Sequence, residues 1–160
     1  MTDLPLAQLY VARARAPMAD PIMAGFVDRL AEINALAESS PGFLWRLQDE
    51  HGDATSIRVF DDPRIIVNLT LWRTIEDLFE FTYHSGHVEL YRARRSWFEP
   101  LDRPSLVLWW MPVDKKPTLD EALRRLNTLS RLGPTPEAFT LKERFEAPSR
   151  FAAPSIGARG

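Results

Sequence analysis

A chain of 160 residues, 45% hydrophobic and 26% charged, has the size and composition of one soluble globular domain and not those of a disordered or fibrous protein. Its 20 basic and 22 acidic residues leave a net charge of -2, which gives no general attraction to phosphate backbones or anionic lipid and sets nucleic acid and membrane aside as partners. The lack of cysteine excludes disulfides, thiolate nucleophiles, iron–sulfur clusters and zinc fingers, and with no signal-like start and no long apolar run the expected location is cytoplasmic.

The first element is a mostly apolar run, Leu4 to Arg13, with Leu6, Gln8 and Tyr10 on one side and Ala7, Leu9 and Val11 on the other. It reads as a strand covered on both faces. Asp20 before Pro21 is a favourable N-cap, and Ile22, Phe26, Leu30, Ile33 and Ala37 recur at helical spacing, so a helix is predicted as far as Ser39, ahead of Pro41 and Gly42. Phe43 to Gln48 reads as a short strand. A turn at Glu50, Gly52 and Asp53 and a hairpin arm over Thr55 to Phe60 follow. Ile65 to Trp72 is the clearest strand. Ile65, Val67, Leu69 and Leu71 form a core face, while Ile66, Asn68, Thr70 and Trp72 form a mixed face suited to a cavity wall or an interface.

Thr74 can cap the next helix, with Asp77 three residues on, and Ile75, Leu78, Phe79 and Thr82 give it a buried stripe. The pattern falters at His84-Ser85-Gly86-His87, which predicts a broken helix resuming to about Phe98. Ser105 to Met111 reads as a strand. Pro117, Thr118 and Glu121 make a capping box for a helix on Leu119, Leu123, Leu126 and Leu129 that stops at Gly133-Pro134, and Thr140 to Phe145 alternates as a last edge strand. The order predicts an α+β fold, a ferredoxin-like split βαβ antiparallel sheet with helices on one face, over residues 1–147, and a mobile tail over 148–160. A sheet that is apolar on both faces and covered on one needs a partner, so a homodimer with Trp109 or Trp110 in its interface is expected.

Six separated segments, LAQLYVARARAP, NALAESSPGFLWRLQ, IIVNLTLW, FEFTYHSGHVELYRARRSWFE, LVLWWMP and GPTPEAFT, resemble a bacterial family known as domain of unknown function 3291. That family resembles a branch of the dimeric α+β barrel superfamily, which includes antibiotic-biosynthesis-type monooxygenases, haem-degrading monooxygenases and dye-decolourising peroxidases. The resemblance implies the fold and dimerisation. It also implies a small-molecule-binding protein with a monooxygenase-like, cofactor-independent oxidation as its enzymatic reading, and a haem-binding or haem-degrading monooxygenase or a non-catalytic binding or structural dimer as alternatives.

Asn68 to Glu99 gathers two of three histidines, two of five tryptophans and two of three tyrosines, so any chemistry is expected there. His87 falls at a predicted helix start, where the helix dipole disfavours the imidazolium and so favours the form that a general base or an axial ligand requires, and His84 stands at the same predicted break. Asn68, Trp72, His84 and His87 are the candidate catalytic set, orienting an aromatic substrate and moving protons. Tyr83, Tyr91, Arg94 and Trp110 are the candidate ligand-binding set, with Arg94 suited to an anionic group and Trp110 to stacking. Glu80, His84 and His87 at i, i+4 and i+7 would share a helical face as in a facial-triad iron site, but the break at Ser85-Gly86 spoils that register, and no metal is expected. The cofactor expectation is none. Haem is the alternative that the resemblance implies, with Gln8 or a neighbour standing where the haem-degrading branch has asparagine.

Overall fold

The computed structural model describes residues 4–48, 62, 64–84, 87–101 and 103–148, and of residues 87–91 the backbone only. The turn at Glu50 to Asp53, the hairpin arm over Thr55 to Phe60 and the tail past Pro148 lie outside the described residues. The elements are β1 (Leu6–Ala14), a 3-10 turn (Pro21–Met23), α1 (Ala24–Ser39), β2 (Phe43–Arg46), β3 (Ile65–Trp72), α2 (Ile75–His84), α3 (His87–Trp97), β4 (Phe98–Glu99), β5 (Leu106–Trp110) and α4 (Leu119–Leu132).

β1 is the hub. It pairs with β3 along eight residues, Leu6 opposite Trp72 through Arg13 opposite Ile65, and on its other edge with β5 (Leu6 opposite Trp110) and then β4 (Ala14 opposite Phe98). β2 lies outside β3, every pairing is antiparallel, and β3 separates β1 from β2. This is the α+β split βαβ arrangement that the element order predicts.

The local chemistry of the caps is as read. Asp20 accepts from the Ile22 amide at 3.0 Å, Thr74 from the Asp77 amide at 3.0 Å and Thr118 from the Glu121 amide at 3.1 Å. Gly42, at φ +82°, turns α1 into β2 where a Cβ would collide with the Asp77 carboxylate, so the glycine lets α2 start against this turn.

Period-2 alternation gives the sheet two different faces. Leu6, Gln8, Tyr10, Ile66, Asn68, Thr70 and Trp72 face α1, α2 and α3. Ala7, Leu9, Val11, Val67, Leu69, Leu71, Val107 and Trp109 form a core with Ala122, Leu126 and Leu129 of α4. α1–α3 lie on one face, as expected of the split βαβ unit, and α4, added toward the end of the chain, covers the other, which corrects the argument that a second copy must cover that face. Trp109 has no exposed surface within the single chain, and the Arg125 guanidinium lies 5.9 Å over its ring. α4 does this because its leucines recur on one side while Asp120, Arg124 and Arg131 stay outward.

Thr140 to Phe145 forms no strand. Pairing at this edge is confined to Phe139, which exchanges two backbone hydrogen bonds with Leu108 at 2.8 and 2.9 Å. Beyond it the chain turns, with Thr140 accepting from the Glu143 amide at 3.0 Å, and that local bond competes with the ladder.

At the open end of β1, Arg13, Asp62, Arg64 and Glu99 form an ion-pair cluster, with Arg64 Nη1 donating to Glu99 at 3.0 Å. The Arg64 backbone N–H and both guanidinium groups hold the Asp62 carboxyl below its ordinary range. Such a carboxylate supports the fold at neutral pH, and its contribution disappears as acid protonates it.

Leu69 sits mid-strand at 1% exposure between β1 and the α4 layer. Leu69→Ala is expected to cost about 2–5 kcal/mol through the cavity it leaves, and Thr118→Ala about 1 kcal/mol through the lost cap. Chemical denaturation of both variants reads the contrast, and a Leu69→Ala loss under about 1 kcal/mol would contradict this placement of the core.

Candidate functional site

Between the mixed face of the sheet and α1, α2 and α3 lies a cavity of about 570 Å³. Its sheet wall is Gln8 and Tyr10 of β1 with Ile66, Asn68, Thr70 and Trp72 of β3. The helices contribute Phe26, Leu30 and Ile33 of α1, Leu78, Phe81 and Thr82 of α2, and Arg94 and Trp97 of α3. The Thr140 to Lys142 segment closes one side. The volume is that of a site for a small organic ligand.

Each wall follows from its element's period. On β3 the alternate residues that avoid the α4 core arrive at the cavity, and on α2 Leu78, Phe81 and Thr82 recur at three to four residues. Gly25 lets α1 approach α3: a Cβ there would stand 3.1 Å from the Trp97 ring, and Phe26 lies 5.9 Å from the same indole. Trp72, 1% exposed, is packed edge-on by Phe43 at 5.5 Å and beside Phe81 at 5.2 Å.

Two sets of polar groups stand out in the lining. Near the buried end, Thr70 Oγ1 accepts from Gln8 Nε2 at 3.1 Å and from Trp72 Nε1 at 3.0 Å. Basic groups form the other set. Arg46, Arg94 and Lys142 line the cavity and no carboxylate does among the described residues, although Arg46 is held by Glu38 at 2.9 Å. A lining of this sign favours a neutral or anionic ligand over a cation.

Of the predicted catalytic residues, Asn68 and Trp72 line the cavity, Asn68 at an exposed position and Trp72 in the interior. His84 does not. It is exposed, its ring 5.8 Å from Phe79, because the register that sends Leu78, Phe81 and Thr82 inward carries His84 to the outer side. The His87 side chain lies outside the described residues. Glu80 is exposed as well, and no cluster of three His, Cys, Asp or Glu able to hold a metal occurs among the described residues.

Of the predicted ligand-binding residues, Tyr83 and Arg94 line the cavity, and the Tyr91 side chain lies outside the described residues. Trp110 is not part of the lining. Its Nε1 donates to the Phe145 carbonyl at 2.8 Å and its ring packs 6.2 Å from Phe139, so it anchors the segment that follows α4.

Sequence reasoning passed over Phe81 and Lys142, placed Thr70 on a face suited to a cavity wall without giving it a role, and gave Gln8 no role beyond a departure from an asparagine. The available signal was Gln8 itself, a lone amide in an apolar central strand, which must find a partner when buried. Lys142 had no signal, since a segment without regular structure brings it to the cavity.

His84→Ala is expected to change stability by no more than about 0.5 kcal/mol, whereas Trp72→Ala, which removes a buried indole and one of the two donors to Thr70, is expected to cost about 3–5 kcal/mol. Thermal melts of the two variants read the difference, and a His84→Ala loss as large as that of Trp72→Ala would contradict the outward placement of His84.

Solved structures with similar folds include a protein of unknown function and a putative antibiotic biosynthesis monooxygenase, both from Nitrosomonas europaea. Each has a TM-score of 0.50 at 14% identity over 72% of this chain and 97% of the other. SnoaB, a cofactor-independent oxygenase from Streptomyces nogalater, has a TM-score of 0.49 at 16% identity over 72% of this chain and 97% of its own. At these identities the likeness is one of fold. No curated protein matches the sequence. The family model described as "Domain of unknown function (DUF3291)" matches residues 5–154, nearly the whole chain, and the protein belongs to that family.

Proposed function

We propose that this protein binds a small, largely planar aromatic molecule in the cavity between the sheet and α1–α3, and that it promotes a monooxygenase-like oxidation without a cofactor. The observation that carries the reading is the lining: Tyr10, Phe26, Trp72, Phe81, Tyr83, Trp97 and Phe98 surround the volume. Aromatic walls favour flat apolar ligands through area and edge or face contacts. The fold shared with a putative antibiotic biosynthesis monooxygenase supports the oxidative half.

In that reaction a CH₂ flanked by aromatic rings loses a proton to water, and the carbanion passes one electron to dioxygen. The radicals combine as a peroxide anion, which takes a proton back to become the hydroperoxide, and loss of water leaves a ketone, so one oxygen atom enters the product and the other leaves as water. Arg94 and Lys142 favour the anionic substrate, the aromatic walls hold it and limit water, and Asn68 at the exposed side orients it. Haem fits less well. The described lining offers no imidazole to an iron, His84 being turned outward. A purely binding role is the second reading, because no carboxylate or imidazole among the described lining residues is available as a base.

An oxygen electrode with a hydroxylated anthrone as probe and no added metal or flavin tests the oxidation. One dioxygen consumed per ketone formed is expected, slowed by Arg94→Ala. Quenching of tryptophan emission without oxygen uptake would leave binding and remove the oxygenase. The functional unit we propose is a homodimer, as in the resembled superfamily, built on a surface other than the one α4 covers. Light scattering is expected to report about twice the 18.3 kDa chain mass, and the single-chain mass at micromolar concentration would remove the dimer.

A further inference from the structure

The Gln8–Thr70–Trp72 arrangement has a hydrogen-bonding deficit that specifies what kind of ligand group completes it. Gln8 and Thr70 stand directly opposite each other across β1 and β3, on the cavity face, at 9% and 4% exposure. Thr70 Oγ1 already accepts two N–H groups, from Gln8 and from Trp72, which occupies both its lone pairs. What remains on Thr70 is the hydroxyl proton. On Gln8 what remains is the carbonyl oxygen, which has no hydrogen-bond partner among the described residues. The carbonyl is not sealed, since no Gln8 atom is among the buried side-chain atoms of the described residues that lack a hydrogen bond, and Gln8 lines the cavity. One acceptor and one donor therefore stand side by side at the buried end of an apolar volume.

We infer that Gln8 and Thr70 form a hydroxyl-recognition pair, selecting an aromatic ligand that carries a free phenolic or enolic OH. The inference rests on the reading that the cavity holds an aromatic molecule. The amide oxygen and nitrogen of Gln8 share one carbon, and the nitrogen is 3.1 Å from Thr70 Oγ1, so a single ligand oxygen can reach both the carbonyl and the hydroxyl. A hydroxyl group donates and accepts at once. It therefore answers both atoms, donating to Gln8 and accepting from Thr70. An ether oxygen can only accept, which leaves the Gln8 carbonyl unpaired and desolvated, and an unsubstituted ring leaves both unpaired. Sites built to hydrogen-bond a hydroxyl reject analogues that lack it far more strongly than apolar sites reject a change of size. Trp72 sets the direction of this selection, because its N–H takes one Thr70 lone pair and commits the hydroxyl proton to the ligand.

Three probes of nearly equal shape test the pair: 2-naphthol, 2-methoxynaphthalene and naphthalene, titrated by calorimetry or tryptophan quenching. The full chain is expected to bind 2-naphthol about tenfold more tightly than the ether, the factor that goes with one buried hydrogen bond. Thr70→Val and Gln8→Leu are each expected to bring that ratio to within about twofold while naphthalene affinity holds or rises, and Thr70→Ser, which keeps the hydroxyl, to retain it. Equal affinity of the wild-type chain for naphthol and ether overturns the pair while leaving the cavity reading intact. A preference that persists in both apolar variants also overturns it. Failure of all three probes to bind overturns the cavity reading and this inference with it. If an apolar variant does not fold, the wild-type ratio decides alone.

Discussion

The register of β1 against β3 is the constraint on which the rest of this structure depends. With Leu9 opposite Leu69 and Gln8 opposite Thr70, Ala7, Leu9, Val11, Val67, Leu69 and Leu71 enter the α4 core, while Gln8, Tyr10, Ile66, Asn68, Thr70 and Trp72 line the cavity. A slip by one residue would exchange the two sets, placing Gln8, Asn68 and Thr70 beneath the leucines of α4 and Leu9 and Leu69 along the cavity wall. Burying those polar groups unpaired would cost more than any gain from a different pairing. The register is thus set by the same alternation that separates a dry face from a functional one.

α4 and the segment after it alter what this sheet requires. In a plain split βαβ unit the second face lies bare and calls for another molecule, whereas here Ala122, Leu126 and Leu129 cover it within one chain. Phe139 then extends β5 by a two-bond bridge, and Trp110 holds the Phe145 carbonyl, so the segment between them is drawn along the sheet edge to the cavity. Three short contacts place Lys142 at the site, far from the α2–α3 region where the chemistry-bearing residues cluster in sequence.

The cavity combines much aromatic surface with polar side chains, of which Gln8, Thr70 and the Trp72 indole are tied to one another. Apolar area supplies affinity for a flat ligand without fixing its orientation. Orientation falls to directional groups, and Gln8, Thr70 and the Trp72 indole are among the most deeply buried of them. Arg46, held by Glu38, and Arg94 and Lys142 on the lining add a preference for the anionic forms of acidic ligands. A binding protein and an enzyme acting on a self-activating substrate would share all of this, which is why a base, and not the pocket, distinguishes them.

The sequence by itself determined the elements whose signals are local: the two-faced strand Ile65 to Trp72, the capped helices at Thr74 and Thr118, the break after His84, and through their order the split βαβ sheet. Period and capping depend on neighbours within a few residues, so one chain suffices to read them. Only the tertiary structure decided that α4 covers the face once assigned to a partner, that His84 turns outward while Phe81 turns inward, and that Trp110 anchors a segment instead of lining the cavity. It also decided that Gln8 meets Thr70, 62 positions away, at 3.1 Å. These are choices between faces and partners that composition leaves equivalent, and they are settled by which surfaces can be buried together with their polar groups paired.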